Sequence, residues 1–323
     1  MVQKLIDRPP DEAPPAPTDS RSPVARLPAD RSAPPPRDEN VRGETLRHDR
    51  LPPAPFPPSA GGGALSRCDR QMPFEWTLNP YRGCEYACGY CYARATHWYL
   101  GFDDPADFER RIFFKEDLAR SLARDLERRV SPGQRIAVGT ATDPYQPLER
   151  RKEITRSCLR VFARRAAAGD RGLRLSITTK SDLVLRDLDL LRVIAAAGSL
   201  HVNLSLSTLD PRLARDLEPL APAPQRRLMT LHALAAEGIE AGVFLMPVLP
   251  GLTDGPGEIE AVAEKVAANG GRYLVHQCLF LREPVRAYWL ERLRTIRPAL
   301  VARHEEWYRG RAQAGTDYRR ALA

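Results

Sequence analysis

The chain contains, between residues 79 and 94, the sequence Asn79-Pro80-Tyr81-Arg82-Gly83-Cys84-Glu85-Tyr86-Ala87-Cys88-Gly89-Tyr90-Cys91-Tyr92-Ala93-Arg94. Cys84, Cys88 and Cys91 offer three thiolates within eight residues. Thiolates are soft ligands, and a [4Fe–4S] cluster held by protein alone takes four of them. Three cysteines therefore leave one iron free to bind a small molecule, and an iron with a free coordination position is available for catalysis.

The composition is that of a folded protein with a large core. Of the 323 residues, 43% are hydrophobic, which is enough for one large domain. No run of 18 apolar residues exists, and residues 1–8 lack the apolar segment of a signal peptide. We therefore expect no membrane partner and a cytoplasmic location.

Cysteine usage also suggests a reducing compartment. Six cysteines are present, and three of them lie in one short loop, a distribution more typical of metal chemistry than of a disulfide framework. Cys68, Cys158 and Cys278 are scattered along the chain. Each is interpreted as an ordinary free or buried thiol, because buried cysteine usually behaves as a small hydrophobic residue.

The net charge of +8 suggests an anionic partner, although only weakly. Residues 1–60 carry nine basic and nine acidic side chains, so the whole excess belongs to the rest of the chain. A cationic face there fits DNA or RNA binding, and it equally fits a solvated surface.

The first 70 residues differ in composition from the rest. Half of the 30 prolines lie in residues 1–58, among Arg, Asp, Ala and Ser, and three glycines follow at 61–63. Such a segment cannot bury enough apolar surface to order itself, so residues 1–70 are predicted to be a disordered tail. The prolines at 34–36 and 52–53 fit recognition segments or, more simply, a solvated leader.

From residue 71 onward, short β-rich apolar runs alternate with helical patterns, which is typical of parallel strands joined by crossover helices. Apolar residues recur at helical spacing after Ile154, Leu188 and Leu228, and Gly238 ends the third of these segments. The fold class is therefore α/β, a partial TIM-like (β/α)6 barrel over residues 71–282. Six strands are predicted, at 76–78, 135–139, 173–178, 201–206, 241–246 and 273–278.

In parallel βα folds, ligands gather at the carboxyl ends of the strands, because loops and helix N-termini meet there. The cysteine loop follows the first predicted strand, and polar segments follow the others. We expect these segments to surround one mouth. They lie at 140–145, 179–181, 207–210, 247–251 and 277–278.

The three-cysteine loop has an aromatic residue just before the last cysteine and follows the first strand of a six-unit βα chain. It resembles the radical S-adenosylmethionine (radical SAM) superfamily. The motifs around it look like the spore photoproduct lyase-related branch. These motifs are Asn-Pro-Tyr-Arg-Gly-Cys, Cys-Tyr-Ala-Arg, Thr-Asp-Pro-Tyr-Gln-Pro, Thr-Lys-Ser and Pro-Val-Leu-Pro-Gly-Leu-Thr-Asp. The resemblance covers residues 71 to about 280.

The resemblance implies that Cys84, Cys88 and Cys91 hold three irons of a [4Fe–4S] cluster and that S-adenosylmethionine chelates the fourth. One electron, from a flavodoxin- or ferredoxin-like donor, then cleaves the cofactor and yields a 5′-deoxyadenosyl radical, which abstracts a hydrogen from the substrate. The protein's part is to position the cofactor and to exclude water.

The resemblance also implies cofactor contacts. Tyr90 is expected near the adenine, with the Tyr92 backbone at its polar edge. Many relatives meet the methionine amine with a Gly-Gly-Glu stretch, whereas this chain has residues 139–143 there, in which Thr140, Thr142 and Asp143 offer acceptors.

Three further polar residues end predicted strands. Lys180 is one of five lysines and suits a cofactor carboxylate, although a plain surface lysine is an equal alternative. Ser205 and Ser207 alternate on the fourth strand, so that one of them fits the ribose hydroxyls or packs in the barrel.

The resemblance breaks at the hydrogen donor. Spore photoproduct lyase repairs a thymine dimer with a cysteine after its second strand, and that position falls at or next to Thr140 here. A hydroxyl O–H bond is too strong to quench a carbon radical readily, so the same repair route is not expected. Cys278, at the end of the sixth strand, is a substitute candidate.

Residues 283–323 are predicted to form an Arg-rich helical extension. They carry nine Arg against five acidic residues, interleaved with Tyr288, Trp289, Trp307 and Tyr308. Arginine with aromatic residues suits phosphate contacts and base stacking. A patchy apolar stripe favours helices packed on the barrel instead.

Two alternative functions stay open at this point. The chain could be a non-enzymatic nucleic-acid-binding protein with a zinc knuckle, since His97 follows Cys91 closely enough to act as a fourth ligand. It could also be a radical enzyme that acts on a peptide or a small metabolite, because specificity in such a barrel depends on loop shape.

Overall fold

The computed structural model describes residues 51–56, 63–68 and 72–321. Six parallel strands form the body of the protein, and β2 joins them at one edge in the antiparallel direction. The strands of this sheet are β2 (Leu65–Arg67), β3 (Trp76–Leu78), β6 (Arg135–Val138), β7 (Arg174–Thr179), β8 (Ser199–Ser205), β9 (Ala241–Val248) and β10 (Leu274–Cys278).

The strand order is β10-β9-β8-β7-β6-β3-β2, so strands that follow one another in the parallel part also lie side by side. In the described part of the chain the outermost strands do not pair with each other, so the sheet curves without closing. The predicted (β/α)6 partial barrel is thus confirmed, and each predicted strand is found within about two residues of its expected ends.

Helices connect the strands and continue beyond the last one. The three helices predicted from periodicity are α4, α5 and α7. The full set is α1 (Asp107–Arg110), α2 (Leu118–Arg128), α3 (Glu149–Lys152), α4 (Ile154–Ala167), α5 (Leu188–Ala197), α6 (Pro211–Leu217), α7 (Pro224–Ala236), α8 (Glu258–Ala268), α9 (Val285–Ile296), α10 (Val301–Trp307) and α11 (Thr316–Ala321).

One strand end differs from prediction for a clear reason. Gly139 was expected inside the second strand, but its φ of +87° lies in the left-handed region and turns the chain out of the sheet. A Cβ on this residue would lie 2.6 Å from Pro144 Cδ and 2.6 Å from the Thr178 carbonyl oxygen. The chain therefore needs glycine where it leaves β6 toward the mouth.

Two short strands lie inside the segment predicted to be a disordered tail, which is a correction to the 1–70 boundary. Strand β1 (Ala54–Pro55) pairs with β5 (Phe113–Phe114), which also pairs with β4 (Tyr81–Arg82). Strand β2 buries Leu65, whose backbone N–H donates to Asp125 Oδ2 at 2.9 Å. Composition could not show this, because the pairing partners come from distant parts of the chain. The prolines at 34–36 lie outside the described residues.

The apolar interior has two parts. The body core fills the space between the sheet and helices such as α4 and α5, with Ile136, Phe162 and Ile177 fully buried. The mouth cluster joins the cysteine loop to the C-terminal helices through Trp289 and Tyr308, which are also fully buried. The C-terminal helices therefore pack on the barrel, as the apolar stripe suggested.

None of the helices in the described ranges is both long enough and apolar enough to cross a membrane.

Candidate functional site

The cysteine loop leaves β3 at the carboxyl end of the sheet and folds back on itself. Gly83 has a φ of +85°, and a Cβ there would lie 2.7 Å from the Phe108 carbonyl oxygen. That carbonyl accepts a hydrogen bond of 3.0 Å from the Cys84 N–H, and Ala87 adopts a left-handed conformation between the first two cysteines. Local backbone geometry thus brings the three thiols near one another in one short loop.

The conformation of this loop buries the three thiols to different extents. Cys84 and Cys88 are each 8% exposed, and Cys91 is half-buried. Burial raises the pKa of Cys84 well above its ordinary value and raises the pKa of Cys88 to about 12. Neutral thiols are therefore favoured here unless a cation compensates a thiolate, and a cationic iron–sulfide core would do so. The donor set fits a cluster with three protein ligands.

The loop after β6 holds the cysteine loop in place. Thr142 Oγ1 donates to the Gly83 carbonyl at 2.6 Å, and Gln146 Nε2 donates to the same oxygen at 3.2 Å. The Gln146 side-chain oxygen accepts from the Glu85 N–H at 3.0 Å. Thr142 is thus a clamp on the cluster loop, and its hydroxyl is already committed in this arrangement.

Thr140 and Tyr92 meet beside the loop. The Thr140 hydroxyl accepts from Asn79 Nδ2 at 3.1 Å, and its carbonyl accepts a hydrogen bond from the Tyr92 hydroxyl. Tyr92 is 58% exposed, so it covers the exit of the cysteine loop at the protein surface.

Asp143 binds the end of β7. Its carboxylate accepts from Thr179 Oγ1 at 2.7 Å, from the Lys180 N–H at 2.7 Å and from the Tyr145 N–H at 2.9 Å. Burial raises the pKa of this carboxyl even so. Its contacts tie the loops after β6 and β7 together next to Cys84.

Lys180 points into the mouth and is 9% exposed, so it is not a plain surface lysine. Its Nζ donates to Ser205 Oγ at 2.6 Å and lies 3.4 Å from Glu218 Oε1. Burial opposes its charge, but Glu218 and Cys88 more than offset that and raise the pKa of Lys180. The Lys180 ammonium is therefore charged and suited to bind an anionic ligand.

Tyr90 and Ser207 complete the same group. The Tyr90 hydroxyl lies 2.7 Å from Ser207 Oγ, and both hydroxyls donate to Glu218 Oε1. Glu218 is also ion-paired with Arg227. Burial alone would raise its pKa, but Arg227 and Lys180 lower the pKa of Glu218 to about 2. We call Tyr90, Lys180, Ser205, Ser207, Glu218 and Arg227 the mouth network.

A second clamp holds the cysteine loop from the other side. The buried Arg94 donates two hydrogen bonds to the Cys88 carbonyl, at 3.1 and 2.8 Å, and pairs with Glu109. The Tyr288 ring of α9 lies 4.2 Å from the Arg94 guanidinium, and its hydroxyl donates to Glu109 at 3.1 Å. The first C-terminal helix is thus connected to Cys88 through Arg94.

Cys278 lies apart from these networks. Its Sγ is 3.7 Å from the Tyr308 hydroxyl, and burial raises the pKa of this thiol. Its neighbours belong to the C-terminal helices, so its role as a hydrogen donor stays a prediction.

The zinc alternative depended on His97. Its Nε2 is 2.9 Å from the Arg111 carbonyl oxygen, and its ring packs against Phe102, Phe108 and Phe113 at 5.3–6.0 Å. His97 is therefore placed as a packed helix-end residue, and the geometry does not favour a knuckle.

Sequence reasoning missed several residues that shape this site. Gln146, Arg94 and Asn79 belong to quoted motifs, so their position next to the cysteines was a usable signal. Glu218 and Arg227 had no such signal, because they reach the site from α6 and α7.

Comparisons with known proteins agree with this geometry. The family model described as the radical SAM superfamily matches residues 78–266. Uncharacterized protein Rv2578c of Mycobacterium tuberculosis (strain ATCC 25618 / H37Rv) is 37% identical over 251 residues, which are 78% of this chain and 72% of that protein. Uncharacterized protein MJ0683 of Methanocaldococcus jannaschii is 34% identical over 181 residues, 56% of this chain and 62% of that protein.

Among solved structures, spore photoproduct lyase complexed with dinucleoside spore photoproduct aligns with a TM-score of 0.55 at 17% identity, over 79% of this chain and 72% of that one. A variant of that enzyme with bound AdoMet and dinucleoside spore photoproduct aligns with a TM-score of 0.53 at 18% identity, over the same shares. At such identity the likeness establishes the fold. The family model, which matches more than half of the chain, establishes more: the chain belongs to the radical SAM superfamily.

Proposed function

We propose that this chain is a radical SAM enzyme that holds one [4Fe–4S] cluster through Cys84, Cys88 and Cys91 and reductively cleaves S-adenosylmethionine. The observation that carries the proposal is the short loop that places these three thiols at the mouth of a parallel βα barrel, with Cys84 and Cys88 buried and Cys91 half-buried. When bound, the cluster and cofactor supply a 5′-deoxyadenosyl radical that abstracts hydrogen from a substrate. A nucleic acid is the leading substrate class, given the positive charge outside residues 1–60.

The mouth network would bind and orient the cofactor. The Lys180 ammonium suits the methionine carboxylate, and Ser205 or Ser207 suits the ribose hydroxyls. Tyr90 would lie along the adenine, with Tyr92 covering the exit of the loop. Arg227 and Glu218 keep these groups charged and in place.

The neighbouring loops would position the cluster ligands and exclude water. Thr142 and Gln146 grip the turn before Cys84, and Arg94 grips Cys88. Thr140 and Asp143, at the start of the same loop, would face the methionine amine. For Asp143 this requires sharing a carboxylate that already accepts three hydrogen bonds.

Anaerobic reconstitution tests the proposal. We expect about four irons and four sulfides per chain, and 5′-deoxyadenosine that forms only when a reductant such as dithionite is present. Replacing Cys84, Cys88 and Cys91 together by alanine should abolish both iron retention and product. Cys68→Ala, a half-buried cysteine away from the loop, is the matched control and should leave both unchanged.

Two results would overturn the proposal. One is unchanged cofactor cleavage in the triple variant. The other is a colourless protein that carries one zinc and takes up no iron or sulfide after reconstitution.

A further inference from the structure

A cavity of about 200 Å³ opens beside the cysteine loop and belongs to none of the contacts described so far. Its floor is formed by Tyr86 and Tyr145, which are almost fully buried. The Tyr86 hydroxyl donates to the Tyr145 carbonyl at 3.1 Å, so the floor is held rigidly. Tyr86 lies between two cluster ligands, Cys84 and Cys88.

The walls of the cavity come from the connections that follow β6, β7 and β8, including α3, the segment between α6 and α7, and the first turn of α7. These connections begin at the carboxyl ends of the strands, where βα folds bind their ligands. A group seated in this cavity would thus be anchored next to the cluster loop, on the side formed by Ser181 and Pro222.

The rim of the cavity has a surplus of positive charge. Arg226 is paired with Asp182 at 2.6 Å, and both line the cavity. Arg150, also on the rim, makes no ion pair or side-chain hydrogen bond within the described part of the chain. Within these residues, the Arg150 guanidinium is therefore available to bind an anion. The Arg226 guanidinium is paired with the Asp182 carboxylate near the protein surface.

The size of the cavity limits what it can hold. Sites that bury a whole drug-sized ligand usually measure about 300–1,000 Å³. At about 200 Å³, this cavity has room for one group of a larger substrate, such as a phosphate with part of its sugar. Arginine suits that group because its planar fork matches phosphate oxygens.

We infer that this cavity is a subsite for a phosphate ester of the substrate, held by Arg150 and Arg226. The inference rests on the proposed function, because it specifies the class of substrate that would bind at the same mouth of the barrel. The phosphate belongs either to a nucleic-acid backbone or to a small phosphorylated metabolite. Asp182 limits the affinity, because it competes with the substrate for Arg226.

Equilibrium binding to the reconstituted protein tests this inference. The probes are a fluorescently labelled thymidine decamer, a decamer of the same length with an uncharged methylphosphonate backbone, and thymidine 5′-monophosphate as a competitor. Arg150→Gln should weaken binding of the charged decamer about fivefold, the upper range for one exposed ion pair. Asp182→Asn should tighten it by a similar factor, because Arg226 becomes free.

Arg151→Gln is the matched control. Arg151 is exposed, belongs to the same helix α3 and does not line the cavity. Its replacement removes the same charge from the surface and should change binding by less than twofold. The methylphosphonate decamer should bind at least fivefold more weakly than the charged one and should not respond to Arg150→Gln.

The outcomes separate the two sources of phosphate. If the charged decamer binds with this dependence on Arg150, the substrate is a nucleic acid. If the dependence appears only for thymidine monophosphate, the substrate is a small phosphate ester. Equal weakening by Arg150→Gln and Arg151→Gln would overturn the subsite, as would unchanged or weaker binding to Asp182→Asn or displacement of the probe by S-adenosylmethionine.

The result is also separable from the proposed function. If the protein takes up no iron but its binding of the charged decamer still depends on Arg150, the phosphate subsite is supported and the proposed radical chemistry is contradicted. If the iron-loaded protein cleaves S-adenosylmethionine but binds the phosphate probes equally well after Arg150→Gln, the radical chemistry is supported and the subsite is contradicted.

Discussion

Two buried glutamates, Glu149 and Glu218, have similar partners but different surroundings. Glu149 is fully buried and accepts hydrogen bonds from the Tyr81 hydroxyl at 2.5 Å and from Arg186 at 2.7 Å. It also accepts from the backbone N–H groups of Thr155 and Arg156, at 2.9 and 3.1 Å. These N–H groups belong to the first turn of α4 and have no acceptor within the helix, so the Glu149 carboxylate caps that helix.

Glu218 is almost as deeply buried and also receives a tyrosine hydroxyl and an arginine, from Tyr90 and Arg227. All of its side-chain hydrogen bonds within the described residues come from other side chains, and Lys180 adds a second positive charge. These side chains belong to separate segments that meet only at the mouth.

The difference separates a carboxylate fixed by backbone groups from one held by side chains alone. A group bound to the backbone of its own neighbourhood cannot change partners without unfolding a helix end. A group bound by side chains from several loops can change partners when a ligand arrives, at the cost of rotamer changes alone. We therefore expect changes at Glu149 to affect stability, and changes near Glu218 to affect cofactor binding.

The largest effect is expected for Glu149→Ala. It leaves the Tyr81 hydroxyl and two backbone amides without their acceptor and Arg186 without this partner, so the free energy of unfolding should fall by about 3–5 kcal/mol. Urea denaturation measures this. Glu153→Ala is the control, because Glu153 is 46% exposed with ion pairs no closer than 3.9 Å, and it should cost less than about 1 kcal/mol. Equal losses would contradict the comparison.

The next effect is a dependence on acid. The folded-state pKa of Glu218 is lowered from 4.5 to about 2, so its charge stabilises the fold above pH 4.5 and this stabilisation is lost as the pH falls toward 2. Between pH 7 and pH 3 the loss due to this group should be about 2 kcal/mol. Urea denaturation at both pH values measures this. Between pH 7 and pH 3, the free energy of unfolding of Glu218→Gln should fall by about 2 kcal/mol less than that of the unchanged chain. Identical pH dependence would show that Glu218 is not ionised in the fold.

The smallest effect compares a buried cation, Lys180, with a partly buried one, Arg186. Lys180→Met should weaken S-adenosylmethionine binding to the reconstituted protein about tenfold, or about 1.4 kcal/mol, because it removes the proposed partner of the cofactor carboxylate. Arg186→Met in the Glu149 group should lower stability and leave cofactor affinity within twofold. Equilibrium dialysis measures both affinities. A similar loss in the two variants would mean that Lys180 acts only through folding.

The site was predictable where its signal is local. Cys84, Cys88 and Cys91 are neighbours in sequence, so their spacing alone predicts a shared role as metal ligands. The position of Lys180 at the mouth was predictable because it follows a strand at its carboxyl end. Asp143 was expected as an open acceptor, yet Thr179 and two backbone amides already occupy its oxygens. Such occupancy depends on how two loops meet, and no local pattern encodes that.

The sequence by itself determined the three-cysteine motif, the six parallel strands and the main crossover helices, because each depends on residues only a few positions apart. The tertiary structure decided the antiparallel edge strand β2, the arginine-rimmed cavity and the partners of Tyr90. The Tyr90 hydroxyl meets Ser207 and Glu218, which lie 117 and 128 residues away. Contacts over such separations exist only once the strands have aligned, so they follow from the packing of the barrel and not from any motif.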